Sequence, residues 1–221
     1  MNIIFTLLLF FFFASSLEAR PLNLLPDRHR QSQSGNSAQD KDLLQSEYYI
    51  FSSPLKNSET RKIMRSLDSL AETLLEVLSL EKSSAPKPSI LLFQNKKEYF
   101  EHIRQYGIRE VKYSGGYFNP SEQRIALYWQ GSREATLAVI FHEVTHCFTM
   151  KAFREIPQAL NEGLSTYMET AALDSKKCVF GTLSPQYAPL FISMCEKNQI
   201  IALPRFLSLR GYAQKTIREV F

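Results

Sequence analysis

The amino-acid sequence predicts an α+β fold with a small N-terminal mixed sheet and helices, one buried central helix and a mostly helical C-terminal part. Short segments such as "EYYIFSS" and "SILLFQ" have the aromatic, β-branched or continuously apolar content of strands. Through 58–80, apolar residues recur at three- and four-residue steps, which predicts an amphipathic helix. Further on, "REATLAVIFHEVTHCFTM" is apolar almost all round, as a buried helix would be. Strands gathered at one end and helices at the other indicate an α+β layout.

The expected order of elements is β-α-β-α-β-β, followed by helices only. Pro157 is expected in the first turn of a helix, where its missing N–H is not needed. The predicted strands are 47–53, 89–94 and a turn-linked pair within 115–129, and the predicted helices are 58–80, 96–106, 133–150, 156–173 and two or three short ones beyond 178.

The N-terminal segment indicates export. Residues 1–19 contain an apolar run from Ile3 to Ala14 followed by small residues, which is typical of a cleavable signal peptide. The run is shorter than the ~20 residues of a spanning helix, although the lack of Lys and Arg before it leaves an uncleaved membrane anchor as the alternative. Residues 20–45 are rich in Gln, Ser, Asn and Asp and predict a disordered leader. We therefore expect a folded domain at 46–221 in a periplasmic or extracellular protein.

The composition narrows the function classes. Of 221 residues, 44% are hydrophobic and 22% are charged, which suits a globular domain with a real core. The net charge is +4 and the basic residues are scattered, so we do not expect nucleic-acid binding. Export permits disulfides, and Cys178 with Cys195 would close a short loop, leaving Cys147 as a free thiol on the buried helix.

The stretch "VIFHEVTHCF" places His142, Glu143 and His146 in an otherwise apolar helix. Histidines at i and i+4 lie on one helix face and can direct two imidazoles at one metal ion. Glu143 is rotated about 100° from His142 and would flank the ion, as the general base for a zinc-bound water. The alternative is a pair of core histidines with Glu143 at the surface. In so apolar a helix, however, an ionised glutamate needs a strong partner, which a cation supplies.

A catalytic zinc takes three protein ligands and keeps one open position. His29 lies in the predicted leader and His102 on a short charged helix, where a surface histidine is expected. The longer pattern with a third histidine also fails, because Thr149 and Ala152 occupy its Gly and His positions. The third ligand is therefore expected to be Glu162 in "LNEGL", 16 positions after His146 on a helix that returns antiparallel. The alternative is that Glu162 is a surface glutamate without a role. Gly163 beside it is explained if this helix closely approaches the helix that carries the histidines.

"HEVTH" followed by "LNEGLSTY" resembles the gluzincin metallopeptidases and, more closely, the peptidase MA-like domain family. The resemblance covers about 47–172 and implies a zincin-like fold with one zinc ion per chain. It implies His142, His146 and Glu162 as zinc ligands and Glu143 as the general base. It also implies that the strand at 125–129 is the sheet edge over the cleft, where a peptide would add as an extra strand.

The chain departs from this family pattern in places. The gluzincin pattern often has an acidic residue four positions after the ligand glutamate, supporting a ligand histidine, but Thr166 stands there. Glu169 follows one helix turn later, and the sequence leaves the identity of the supporting residue open. Relatives also usually continue further at the C-terminus. Candidates for stabilising a transition-state oxyanion are Tyr187, Tyr212 and Arg205, whereas Tyr167 is expected to serve packing.

These observations together predict a zinc-dependent hydrolase, most simply a metallopeptidase acting on a peptide or protein substrate. Two alternatives remain open at the level of sequence. One is a catalytically silent zinc-containing module that binds a peptide or protein, and the other is a zinc hydrolase of a non-peptide amide such as a cell-wall bond. A membrane contact is expected only if the N-terminal segment is retained as an anchor.

Overall fold

A five-stranded mixed sheet with helices on both faces forms the centre of the molecule. The computed structural model describes residues 43–106, 115–174, 177–180, 188–200 and 202. The strands are β1 (Leu43–Gln45), β2 (Ile50–Ser52), β3 (Ser89–Phe93), β4 (Gly116–Asn119), β5 (Arg124–Tyr128), β6 (Ala172–Asp174) and β7 (Lys177–Val179). The helices are α1 (Asn57–Val77), α2 (Lys96–Arg104), α3 (Arg133–Ala152), α4 (Gln158–Met168) and α5 (Ala188–Glu196), with a 3₁₀ turn at Lys82–Ser84. The α+β class is confirmed.

The sheet order is β1-β2-β3-β5-β4. Strands β2, β3 and β5 run parallel, whereas β1 and β4 are antiparallel to their neighbours and are the outermost of the described strands. The prediction that the strand at 125–129 is the sheet edge is therefore wrong. Strand β5 pairs with β3 on one side and with β4, its hairpin partner, on the other. Strand β4 therefore lies outside β5.

Successive side chains of β3 and β5 point to opposite faces of the sheet and contribute to two separate apolar layers. On one face, Ile90 and Leu92 of β3 and Ile125 and Leu127 of β5 are buried against α1 and α3. On the other face, Ala126 is buried with two side chains of α2. Successive side chains of a strand point to opposite faces, so this pattern accounts for the apolar run in "SILLF".

Helix α3 begins at a defined cap and runs across the centre of the sheet. The Ser132 hydroxyl oxygen accepts a hydrogen bond from the Ala135 backbone N–H at 3.1 Å, satisfying a donor that the first turn leaves free. The helix ends where Phe153 turns to extended backbone. Its inner side chains, among them Ile140, Val144 and Phe148, are fully buried. Helix propensity, capping and burial thus agree along the segment that carries the two histidines.

The predicted elements inside the described residues are present, with shifted ends at several of them. The helix predicted at 156–173 ends at Met168, and the hairpin of β6 and β7 follows. The expectation of helices only after α4 is therefore wrong. These three-residue strands are too short to leave an alternating pattern.

The N-terminal predictions fall mostly outside the described residues. Residues 1–19 and most of the leader at 20–45 are not described, but β1 already begins at Leu43, inside the end of that leader. Among the described residues, no helix combines the length and apolar character needed to span a bilayer. The sequence left a Cys178–Cys195 disulfide open, and the structure does not form it: Cys178 is buried in β7, whereas Cys195 is an exposed free thiol on α5.

The cap of α3 allows a test of how strongly the central helix is anchored. We expect Ser132→Ala to lower the free energy of unfolding by about 1 kcal/mol, because it removes the acceptor for the Ala135 N–H. Urea titration followed by circular dichroism measures this. The control Ser58→Ala changes an exposed serine in the first turn of α1, a helix with no side-chain cap, and should cost less. Equal losses would contradict a capping role for Ser132.

Candidate metal site

Two histidines of α3 face one point between α3 and α4. His142 and His146 are one helical turn apart, and their Nε2 atoms lie 3.1 Å from each other. Both side chains are largely buried. The i,i+4 spacing predicted this common face, and the structure confirms it.

Glu162 of α4 completes a group of three ligand atoms. Its Oε2 atom lies 3.4 Å from His142 Nε2 and 3.6 Å from His146 Nε2. The ligand atoms of these three residues all fall within 4.8 Å of one another. The group can therefore hold a metal ion, as predicted for these three residues.

One face of α4 carries the residues that orient both histidines. Glu162, Ser165 and Glu169 follow at i, i+3 and i+7, so they share that face. Glu169 Oε1 lies 2.7 Å from His142 Nδ1, and Ser165 Oγ lies 3.0 Å from His146 Nδ1. With each proton on Nδ1 and donated to these oxygens, both Nε2 lone pairs are left available for a metal ion.

A polar contact next to the site ties the two helices together. The Thr149 hydroxyl of α3 donates a hydrogen bond to Asn161 Oδ1 of α4. Thr149 is buried, and Asn161 directly precedes the ligand Glu162. The contact therefore fixes the start of α4 against α3 at the level of the second histidine. It gives a physical role to the asparagine of "LNEGL", which the sequence did not explain.

Glu143 is buried beside the two histidines, and none of the described residues bonds to its carboxylate. Its side chain is 8% exposed, and it makes no hydrogen bond or ion pair with another described residue. Burial raises the pKa of Glu143, and the nearby His142 and His146 oppose this shift. A buried carboxylate with no bonded partner needs a cation or a water molecule to offset its desolvation. This agrees with the prediction that Glu143 flanks the ion instead of holding it.

The ligand group is strongly polarised in the metal-free protein. Burial lowers the pKa of His142, but hydrogen bonds with Glu162 and Glu169 outweigh it and raise the pKa to about 10. Burial raises the pKa of Glu162, but the two histidines outweigh it and lower the pKa to about 2. Without a metal ion, His142 is therefore a cation held between two carboxylates at neutral pH. A divalent cation can take the place of that proton.

The remaining histidine in the described part of the chain lies elsewhere. His102 is on α2, and the centroid of its ring lies 5.0 Å from that of the Phe93 ring. Its Nδ1 atom lies 2.8 Å from Gln105 Nε2. Burial lowers its pKa. The prediction of a surface histidine is thus only partly right, since the side chain is half-buried. Its exclusion from the metal group holds.

The geometry also bears on residues near the site whose roles the sequence predicted or left open. Tyr167 is buried and packs against Phe180, as expected for a packing residue. Glu169, left open by the sequence, is the partner of His142, and Ser165 was missed. The helical spacing from Glu162 was the available signal for both residues. The transition-state candidates Tyr187, Tyr212 and Arg205, together with His29, lie outside the described residues.

Comparisons of the chain with protein-family models, with curated proteins and with solved structures find no match.

The raised pKa of His142 makes the stability of the metal-free protein depend on pH. Its pKa rises from an ordinary 6.5 to about 10 on folding, so the folded state binds this proton more tightly. That stabilisation is fully present below the unfolded pKa and is lost as pH rises through the folded pKa. After chelation, we expect the unfolding free energy to fall by on the order of a few kcal/mol between these two pKa values. Denaturant titration across that range measures it.

Two histidine variants separate this effect from other titrations. His142→Gln should remove most of the fall in unfolding free energy. His102→Gln should leave it, because the pKa of His102 is lowered and that side chain is neutral over the same range. An equal fall in His142→Gln would assign the effect to other groups.

The orienting role of Glu169 is testable through metal affinity. We expect Glu169→Ala to weaken the metal affinity about 10- to 100-fold, because His142 loses the acceptor that fixes its ring. Glu169→Gln keeps an acceptor without charge and should weaken affinity less. Competition with a chromogenic chelator gives the dissociation constants. Glu155→Ala, at an exposed glutamate between α3 and α4, is the matched control. Wild-type affinity in Glu169→Ala would show that Glu169 does not orient His142.

Proposed function

We propose that this protein is a zinc-dependent hydrolase with a zincin-like fold, most simply a gluzincin-type metallopeptidase that cleaves peptide bonds. The observation that carries the proposal is the meeting of two histidine Nε2 atoms and the Glu162 carboxylate beside a buried glutamate. Glu143 has no hydrogen-bond or ion-pair partner in the described chain, so its carboxylate is available for proton transfer.

The spacing of the ligand atoms supports zinc. Bonds of about 2.0–2.2 Å in a tetrahedral arrangement place ligand atoms about 3.3–3.6 Å apart. The corresponding separations among His142, His146 and Glu162 are 3.1, 3.4 and 3.6 Å. Two imidazoles and one carboxylate, with a fourth position left over, form a donor set typical of catalytic zinc. We infer one zinc ion per chain.

The roles of the protein groups follow from their surroundings. A zinc ion held by His142, His146 and Glu162 would act as a Lewis acid, which would polarise a carbonyl and lower the pKa of a water molecule. Glu143 acts as the general base and afterwards passes the proton to the leaving amine. In the metal-free protein, burial raises the pKa of Glu143, which is the direction that suits a general base. Glu169 and Ser165 keep the two imidazoles oriented.

The substrate we propose is a peptide or protein bound in extended form. Strand β4 is the outermost described strand on the side of the sheet that contacts α3. An extended peptide can add to such an edge through backbone hydrogen bonds. It would then run next to Glu143, because the backbone of Gly116 lies against that side chain. On the strength of the N-terminal sequence, we propose a periplasmic or extracellular location.

Metal content and turnover, measured together, test this function. We expect one zinc per chain and turnover on a peptide library that is lost with a chelator and restored by zinc. Glu143→Gln should lower turnover about 10²- to 10⁴-fold with zinc retained, because only the base is lost. Glu162→Gln should weaken zinc binding itself. Glu155→Gln, at the exposed glutamate, is the control and should change neither.

The other outcomes separate the alternatives. Zinc without peptide turnover, but with cleavage of cell-wall fragments, would indicate a hydrolase of non-peptide amides. Zinc without turnover on either substrate would indicate a binding module. No zinc in the wild-type protein would exclude all three.

A further inference from the structure

The edge strand touches the proposed base through a glycine. A Cβ atom at position 116 would lie 2.8 Å from Val139 Cγ1, 3.0 Å from Glu143 Cγ and 3.1 Å from Glu143 Oε1. The first of these distances is shorter than real Cβ contacts, and the others are tighter than most of them. Gly116 is buried and paired with Leu127 of β5, so the strand cannot easily move away. The backbone of β4 therefore lies directly on the Glu143 side chain.

The backbone conformation does not require this glycine. Among the described glycines only Gly131 has a positive φ, so Gly116 adopts angles that other residues also adopt. The need for glycine at 116 comes from close approach alone. An alanine at 116 would clash with side chains of α3, whereas its own backbone conformation would not be strained.

The contact matters because, among the described residues, no hydrogen bond fixes the Glu143 carboxylate. The side chain has no hydrogen bond or ion pair within the described chain, so packing must define where it lies. Val139 precedes Glu143 by one helical turn and shares its face of α3. Gly116 of β4 meets both side chains. The strand thus limits the rotamers that are open to the Glu143 carboxylate.

We propose that Gly116 is a positioning residue that holds the Glu143 carboxylate beside His142 and His146 through close packing. The consequence for turnover rests on the proposed function, whereas the packing contact does not. Gly116 contacts neither histidine nor Glu162 among its nearest neighbours. Its substitution should therefore affect proton transfer much more than metal binding.

The first experiment measures the contact without metal or substrate. In the chelated protein, we expect Gly116→Ala to lower the melting temperature by about 3 °C or more, because overpacking strains the core. In a background of Val139→Ala and Glu143→Ala, the same substitution should lower it by less than half as much. An equal loss in both backgrounds would overturn the proposal, because the added methyl group would then be straining something else.

The second experiment follows turnover in a Val139→Ala background, which removes the shortest contact. Adding Gly116→Ala should lower kcat about 10- to 100-fold by displacing the base, with KM and zinc affinity kept. Adding Gly115→Ala is the matched control. A Cβ at that position approaches Val139 at 3.0 Å and Gln130 at 3.2 Å but does not have Glu143 among its nearest neighbours. Unchanged kcat on adding Gly116→Ala would overturn the positioning role.

The two experiments test the packing contact and its effect on turnover separately. A wild-type protein that binds zinc but turns over no substrate would refute the proposed function. The melting-temperature comparison would still decide whether Gly116 holds the Glu143 side chain in place.

Discussion

Charge balance between α3 and α4 is the constraint on which the rest of the site depends. Glu143, Glu162 and Glu169 are gathered around two histidines in a largely buried region. Buried carboxylates are stable only when positive charge or hydrogen bonds offset their desolvation. In the metal-free protein, the His142 proton supplies part of that charge, and its pKa rises to about 10 as a result. A divalent cation would meet the same need more completely, and its binding would then be coupled to the folding of this region.

The sheet contributes to the site by contact and not by charge. Strand β4 reaches α3 through Gly116, which brings uncharged backbone against Val139 and Glu143. Helix α4 also packs against α3, and it brings Glu162, Ser165 and Glu169 to the two histidines. Glu143 is thus held by the shape of its surroundings, whereas the histidines are held by hydrogen bonds. The Gly116 substitutions separate these two kinds of restraint.

The sequence predicts the features that depend on helical spacing, but not those that depend on which strands pair with each other. The histidine pair follows from i,i+4 spacing, and Glu162 follows from the need for a third ligand on a returning helix. Strand neighbours depend on long-range pairing that no local pattern encodes. The edge position that the family resemblance implies for the strand at 125–129 is wrong for this reason. The strands at Ala172–Asp174 and Lys177–Val179 were missed because three residues leave no readable alternation.

Glu143 and Glu162 both lie beside the histidines, and they are distinguished by their partners and not by burial. Burial raises the pKa of both side chains. At Glu162 direct contacts with two imidazoles overcome it and lower the pKa to about 2, so this carboxylate stays ionised as a ligand must. Glu143 lacks such contacts, and its pKa stays raised. Carboxylates whose surroundings move their pKa values apart are suited to different tasks. In the metal-free protein this difference fits the roles we propose, with Glu162 as a metal ligand and Glu143 as the general base.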